Sequence, residues 1–201
     1  YGLNKYNRAT GVVQWMLSNP WPSLIWHTYD YYLYPAGTYF GMKKSLEPLH
    51  IQYSYKSKEV IINNSFLKPQ SALRAQATVY NADGSPKYHQ EITTAVEADA
   101  VKRCFVIPQI QGLDSLYFLK LELKDKAAKT VSINWYWLSK SEDSLDWKKS
   151  TWYYTPQTDY SNYHDLQKLP PGQLRLSYTS EKDETKNIRH IRVTNTGKRI
   201  A

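Results

Sequence analysis

Between residues 49 and 138 the chain alternates apolar and polar side chains in seven short runs, a pattern that confines it to sheet packed on sheet. The runs are LHIQYSY, EVIINN, ALRAQATVY, YHQEITTAV, KRCFVIP, LYFLKLEL and TVSINWYWL. Successive side chains of a strand point to opposite faces, so such a run offers one face to a core and one to water. Turn-forming clusters such as NADGSP and KDKAAK separate the runs. Within the first cluster, Asp83-Gly84 suits a tight hairpin, because glycine accepts positive φ. Seven strands of this kind predict an immunoglobulin-like β-sandwich over 49–140. A single cysteine, Cys104, rules out an internal disulfide between the sheets. In its context, RCFVI, Cys104 is expected to be a small buried hydrophobe.

The flanking regions follow other rules. GVVQWMLSNPWPSLIW, residues 11–26, holds three of the seven tryptophans and no charged side chain. TGVVQWML, at 10–17, is apolar and rich in β-branched residues, which predicts a strand buried on both faces. The prolines of SNPWPS stop it, and an aromatic loop leads to a short helix around Tyr39 to Leu46, ended by Pro48. Residues 1–9 read as a helix tail and a loop. One strand and one helix cannot cover each other, so residues 1–48 are expected to need neighbours supplied from elsewhere. The chain opens on Tyr1 without a signal pattern, and is expected to begin inside a longer protein. The stretch 139–171 is long, polar and aromatic. A loop of that length is either disordered or pinned, and Trp147, Trp152, Tyr153 and Tyr154 argue for pinned. LRLSYTS and NIRHIRVTN then predict two more strands, a hairpin that is marginal by itself.

The 26 basic and 18 acidic residues leave a net charge of +8. They are interspersed, as in KSKE and SEKDETK, which marks a solvated face rather than a nucleic-acid patch. No apolar run approaches the roughly 20 residues of a membrane span. Neither a nucleic acid nor a membrane is therefore an expected partner. Eighteen tyrosines and seven tryptophans suit sugar handling, since ring faces match the C–H faces of sugars, and they suit β-rich packing equally. The histidines at 27, 50, 89, 164 and 190 lack metal-ligand spacing, and no glycine-rich phosphate loop exists. No metal or cofactor is expected. Asn63-Asn64-Ser65 fits a glycosylation sequon, a pattern also common on unmodified surfaces.

Three segments carry a resemblance, and they occur in order: ATGVVQWMLSNPWPSLIWHTYDYY, YFGMKKSLEPLHIQYSY and DWKKSTWYYTPQTDYSNYHDLQKLPP. Together they closely resemble the C-terminal half of glycoside hydrolases of family 2, on the exo-β-D-glucosaminidase and β-mannosidase side. The resemblance implies a mainly β chain in four parts. Residues 1–48 would be the last β/α unit of a (β/α)8 barrel, with TGVVQWML as strand eight and GTYFGMKKSL as helix eight. Residues 49–140 would be an immunoglobulin-like sandwich, 141–170 an aromatic linker, and 171–201 the beginning of a C-terminal immunoglobulin-like domain.

Barrel active sites lie at the C-terminal ends of the strands. The resemblance therefore implies Trp15, Asn19 and Trp21 as substrate-binding residues, with Trp15 an apolar wall, Asn19 a hydrogen-bonding group and Trp21 a second ring. The alternative is that both indoles pack in a core. A retaining glycosidase needs two carboxyl groups about 5 Å apart. In the family these stand on barrel strands four and seven, upstream of Tyr1. From Tyr1 to Tyr29 there is no Asp or Glu; Asp30 is the first, inside the aromatic loop, and Glu47 lies past the helix. The chain alone is thus expected to be structural and inactive, with no catalytic residue of its own. Its expected partners are the remainder of the parent enzyme, an oligosaccharide bound in that parent, and a second copy through exposed edges. The expected location is the periplasm or outside the cell. The competing reading is an autonomous carbohydrate-binding module presenting Tyr53, Tyr55 or Tyr80.

Overall fold

The computed structural model describes residues 10–24, 26–169, 171–182 and 185–197. The helix tail and loop expected over 1–9 lie outside the described residues. The chain is mainly β. One nine-residue helix, α1 (Gly37–Ser45), precedes β1 (Leu49–Tyr53), β2 (Glu59–Asn64), β3 (Gln70–Asn81), β4 (Pro86–Val96), β5 (Ala100–Val106), β6 (Leu116–Lys124) and β7 (Thr130–Ser139). Two short strands follow, β8 (Ser144–Leu145) and β9 (Gln157–Asp159), and then β10 (Leu174–Lys182) and β11 (Asn187–Asn195).

The seven strands after α1 fall where alternation places them, and they sort into two sheets, β1-β2-β5 and β4-β3-β6-β7. β5 returns to lie beside β2 instead of β4, so the chain crosses from sheet to sheet as immunoglobulin-like sandwiches do. β1 and β2 pair antiparallel with Ile51 opposite Ile62, and β2 pairs antiparallel with β5 through a register shift between Val60 and Ile61.

By its contacts the chain divides into two compact units. The first comprises Tyr1–Ala77, Gln90–Gln109 and Lys120–Trp135. Its core is made of Ile51, Val60, Ile62, Leu73, Leu121 and Leu123, all but sealed from solvent. Each such side chain contributes roughly 1.5–3 kcal/mol on leaving water. Leu73, Ala75 and Ala77 show why the period matters: every second residue of β3 is buried, and those between are not. The second unit comprises Thr78–His89, Ile110–Leu119 and Tyr136–Ala201. Val79, Leu116, Phe118 and Leu119 form its core. The Asp83-Gly84 hairpin is also here. Gly84 has φ +84°, Asn81 N bonds Ser85 O at 3.0 Å, and Asp83 Oδ1 accepts from Ser85 N.

Three expectations need correction. Residues 10–17 form no strand, and Val12 and Val13 are exposed. A parallel strand takes its hydrogen bonds from strands on both sides, and among the described residues no strand pairs with this segment. The last β/α unit of a barrel is accordingly not shown; among the described residues before β1 a helix forms but no strand. α1 begins after Ala36 and ends at Leu46, two residues before Pro48, with Lys43 and Lys44 complementing the helix dipole, but it buries no residue. The second correction concerns 139–171. The stretch is ordered by polar bonds: Asp143 Oδ1 accepts from Gln157 Nε2 and Ser161 N, each at 2.7 Å, and Asp146 caps the turn at Trp147–Lys149. Its aromatics do not pin it, since Trp152 is 94% exposed and Trp147, Tyr153 and Tyr154 are exposed as well. Third, Cys104 is only half-buried.

β10 and β11 pair along their whole length, with Leu176 opposite Val193 and Tyr178 opposite Ile191. Directly opposed residues share a face. This hairpin therefore presents Leu174, Leu176, Tyr178, Ile191 and Val193 on one side, all exposed.

Candidate functional site: the aromatic segment before the sandwich

Residues 10–36 fold back on themselves without a sheet. Met16 N donates to Trp26 O at 2.6 Å, Thr28 N to Met16 O at 3.0 Å, Tyr29 N to Leu17 O at 2.9 Å and Ala36 N to Thr28 O at 2.9 Å. Two bulky residues, Trp26 (φ 58°) and Leu33 (φ 65°), adopt the left-handed conformation that favours glycine. Such strain costs about 1–3 kcal/mol per residue and concentrates at functional loops.

Asn19 is 6% exposed, and its Nδ2 reaches Ser23 Oγ at 2.8 Å and His27 Nδ1 at 2.7 Å. With Asn19 donating, Nδ1 of the buried His27 is an acceptor and the ring proton sits on Nε2. These three polar groups satisfy one another away from water, which is what permits their burial. Ser23 and His27 in turn line a cavity of about 390 Å³ together with Asp30, Tyr31, Tyr32 and Tyr34. Asp30 shapes a turn in its lining: its Oδ1 accepts from Tyr34 N at 2.9 Å, and its own N donates to Tyr34 O at 3.0 Å. The rings of Tyr31 and Tyr32 meet edge to face at 5.2 Å.

The structure treats the three sequence-derived residues differently. Trp15 and Trp21 are 71% and 65% exposed, so neither is core filling in this chain. Asn19 is buried, and acts on the cavity through Ser23 and His27. None of the three lines the cavity itself. His27 and Asp30 do, and the carboxylate inside the aromatic run TYDYY was the available signal for the second of them.

Elsewhere the chemistry is sparse. No group of three or more metal-ligating side chains occurs among the described residues. Burial pushes the Cys104 thiol up to about 11, so it stays protonated and is a poor nucleophile. A second cavity, about 510 Å³, is lined by Asp83, Asp114, Lys140, Asp165 and Lys168, but these groups are engaged. Asp114 accepts from Ala82 N, Lys140 donates to Leu113 O, and Asp165 pairs with Lys168. Of the tyrosines expected on a glycan-binding platform, Tyr53 is buried, Tyr80 is half-buried and only Tyr55 is exposed.

Residues 152–201 match the family described as the exo-β-D-glucosaminidase Ig-fold domain. The chain is 40% identical over 194 residues to an exo-β-D-glucosaminidase of Streptomyces avermitilis, covering 94% of this chain and 21% of that protein. To the exo-β-D-glucosaminidase of Amycolatopsis orientalis it is 42% identical over 176 residues, covering 87% of this chain and 17% of the relative. The crystal structure of the Amycolatopsis orientalis exo-chitosanase superimposes with a TM-score of 0.87 at 35% identity, over 98% of this chain and 24% of that one. The chain thus spans about a fifth of the length of the curated relatives it matches.

Nearly the whole of this mainly β chain, its aromatic lead segment included, is similar to stretches of much longer exo-β-D-glucosaminidases. Residues 152–201 match the model of the immunoglobulin-like domain of such enzymes.

Proposed function

We propose that this chain is the non-catalytic C-terminal portion of an enzyme that releases amino sugars from the non-reducing ends of oligosaccharides by a retaining, two-carboxylate mechanism. The observation that carries the reading is identity of 40% and 42% to two exo-β-D-glucosaminidases, over 94% and 87% of this chain. In this reading residues 10–48 complete the barrel, the exposed indoles of Trp15 and Trp21 face the sugar, and Asn19 holds the loop that carries them. Both the proton donor and the nucleophile come from polypeptide upstream of Tyr1. The remainder of the enzyme also covers the faces left open here, on α1 and on the β10–β11 hairpin.

Two measurements test this. The purified chain should release no glucosamine from chitosan oligosaccharides above a blank, whereas the full-length protein should. Release by the chain alone, or none by the full-length protein, overturns the proposal. The second test uses Trp152. Burying an indole in a domain interface contributes about 2 kcal/mol. Trp152→Ala should lower the melting temperature of the full-length enzyme and leave that of this chain unchanged. An unaltered melting temperature in both, with weaker substrate binding, would make Trp152 a substrate contact instead.

A further inference from the structure

We propose that the loop between β2 and β3, residues 65–69, is a rigid apolar knob that docks the sandwich onto the polypeptide that folds with residues 10–48 in the longer enzyme. The inference rests on the reading above of this chain as one portion of a glycosidase, and adds to it the side chains that fix the sandwich to the remainder. The loop, Ser65-Phe66-Leu67-Lys68-Pro69, adds nothing to a core: all five residues are exposed, Leu67 at 90%. Its shape is nonetheless fixed. The fully buried Asn64 beneath it accepts from Phe66 N and donates to Lys68 O. Asp99, in the turn between β4 and β5, donates its N to Phe66 O at 2.8 Å, and does so from a left-handed φ of 47° that a side chain adopts only at a cost. Presetting exposed apolar side chains lowers the entropy lost when a partner covers them, and aromatic residues such as Phe66 are enriched at interface cores.

The loop's position identifies its occupant. Ser65 N donates to Pro48 O at 2.7 Å, so the loop lies against the joint through which the aromatic segment enters β1. Across that joint Leu46 is exposed, and so is Pro48. Leu46, Pro48, Phe66 and Leu67 thus flank one end of the β1–β2 pair, where Leu49 stands opposite Asn64. The same lead segment leaves Val12, Val13 and Phe40 uncovered, and this chain spans only about a fifth of the length of its curated relatives. Polypeptide that covers residues 10–48 therefore reaches the joint, and an apolar recess in it accepts Phe66 and Leu67. The interface of the lead segment with that polypeptide continues directly onto the knob.

The test is hydroxyl-radical footprinting of this chain and of the full-length protein, read residue by residue by mass spectrometry. Phe66 and Leu67 should be oxidised at least roughly fivefold more slowly in the full-length protein, because the centre of a packed interface excludes water. Tyr55, exposed in the turn at the opposite end of the β1–β2 pair, should keep its rate. Leu67→Asp sets a charge into the recess, and should return Phe66 of the full-length protein to within about twofold of its rate in this chain. The same substitution should leave the melting temperature of this chain unchanged, since the side chain is already in water there. Equal rates for Phe66 and Leu67 in the two proteins overturn the proposal, whether both are open or this chain covers the loop with a second copy of itself, which sedimentation would reveal. Protection of Tyr55 to the same degree, or protection that survives Leu67→Asp, overturns it as well. The functional reading fails separately, on absence of hydrolysis by the full-length protein, which footprinting does not measure.

Discussion

Replacing Asn64 by leucine is expected to remove about 4 kcal/mol of folding stability, the sum of three buried hydrogen bonds and the desolvated groups they leave behind. Asn64, the last residue of β2, is fully buried. Its Nδ2 donates to Lys68 O at 2.9 Å and to Glu97 O at 2.8 Å, while its Oδ1 accepts from Phe66 N at 3.0 Å. One amide therefore ties the β2–β3 connection to the turn between β4 and β5. The backbone bond from Asp99 N to Phe66 O closes the same junction. Leucine has nearly the same shape and can make none of these bonds. A loss of this size approaches the whole stability of a marginal domain, typically about 5–15 kcal/mol. Urea denaturation followed by tryptophan fluorescence measures it. Asn64→Asp is the sharper control. Its carboxylate keeps the bond to Phe66 N but sets a charged oxygen against two carbonyls, so this variant should regain stability on acidification, when the protonated acid can donate. A loss below about 1 kcal/mol in Asn64→Leu would mean that water replaces all three bonds.

Asn64 also shows what a one-dimensional reading misses. Asn63-Asn64-Ser65 was legible as a possible sequon, yet Asn64 is a structural staple and Asn63 lies in a strand paired on both sides. The seven sandwich strands were legible because their signal is local: alternation within a run, and turn residues between runs, as at Asp83-Gly84. The strand expected over 10–17 failed for the opposite reason. An apolar run states that a segment wants burial on two faces, and says nothing about whether partners are present. Trp152 follows the same logic, an interface residue in composition that is exposed in this chain. In the candidate site, position relative to a strand end singled out Trp15, Asn19 and Trp21. It could not show that Asn19 spends its amide on Ser23 and His27, four and eight residues away in sequence, because no periodicity encodes that pairing. Asp30 was visible only as the first acid in the chain. Its place in a tyrosine-lined cavity depends on the turn it closes with Tyr34.

Removing Glu47 should loosen the attachment of the aromatic segment to the sandwich. Glu47 lies between α1 and β1, and its carboxylate gathers three elements. Oε1 pairs with Lys44 Nζ at 2.7 Å on α1; Oε2 accepts from Ser132 Oγ at 2.6 Å on β7 and from His50 Nδ1 at 3.2 Å on β1. His50 Nε2 then accepts from Asn134 Nδ2 at 3.2 Å, and Asn134 also reaches Ile51 O at 3.1 Å. A neutral imidazole with its proton on Nδ1 satisfies every bond in this chain. A second proton, on Nε2, would oppose the Asn134 donor. Burial pushes His50 below its ordinary 6.5, and the bonds to Glu47 only partly offset it. For Glu47, burial works in the raising direction, but the bonds from Lys44, Ser132 and His50 outweigh it and hold the carboxyl below 4.5. Both groups bind protons more weakly folded than unfolded, so the unfolded state takes up more protons as pH falls, and stability falls with it. His50 withdraws its contribution below pH 6.5, Glu47 below 4.5. Glu47→Leu is expected to cost about 3 kcal/mol near neutral pH, since three charge-assisted bonds are lost and a buried hydroxyl and imidazole are left without their partner. His50→Gln keeps a donor for Glu47 and cannot titrate, so its stability should stay level between about pH 7 and pH 5 while the parent chain weakens. Unfolding free energies taken across that interval decide it: parallel curves for the two proteins would show that His50 is not the group whose protonation loosens the joint.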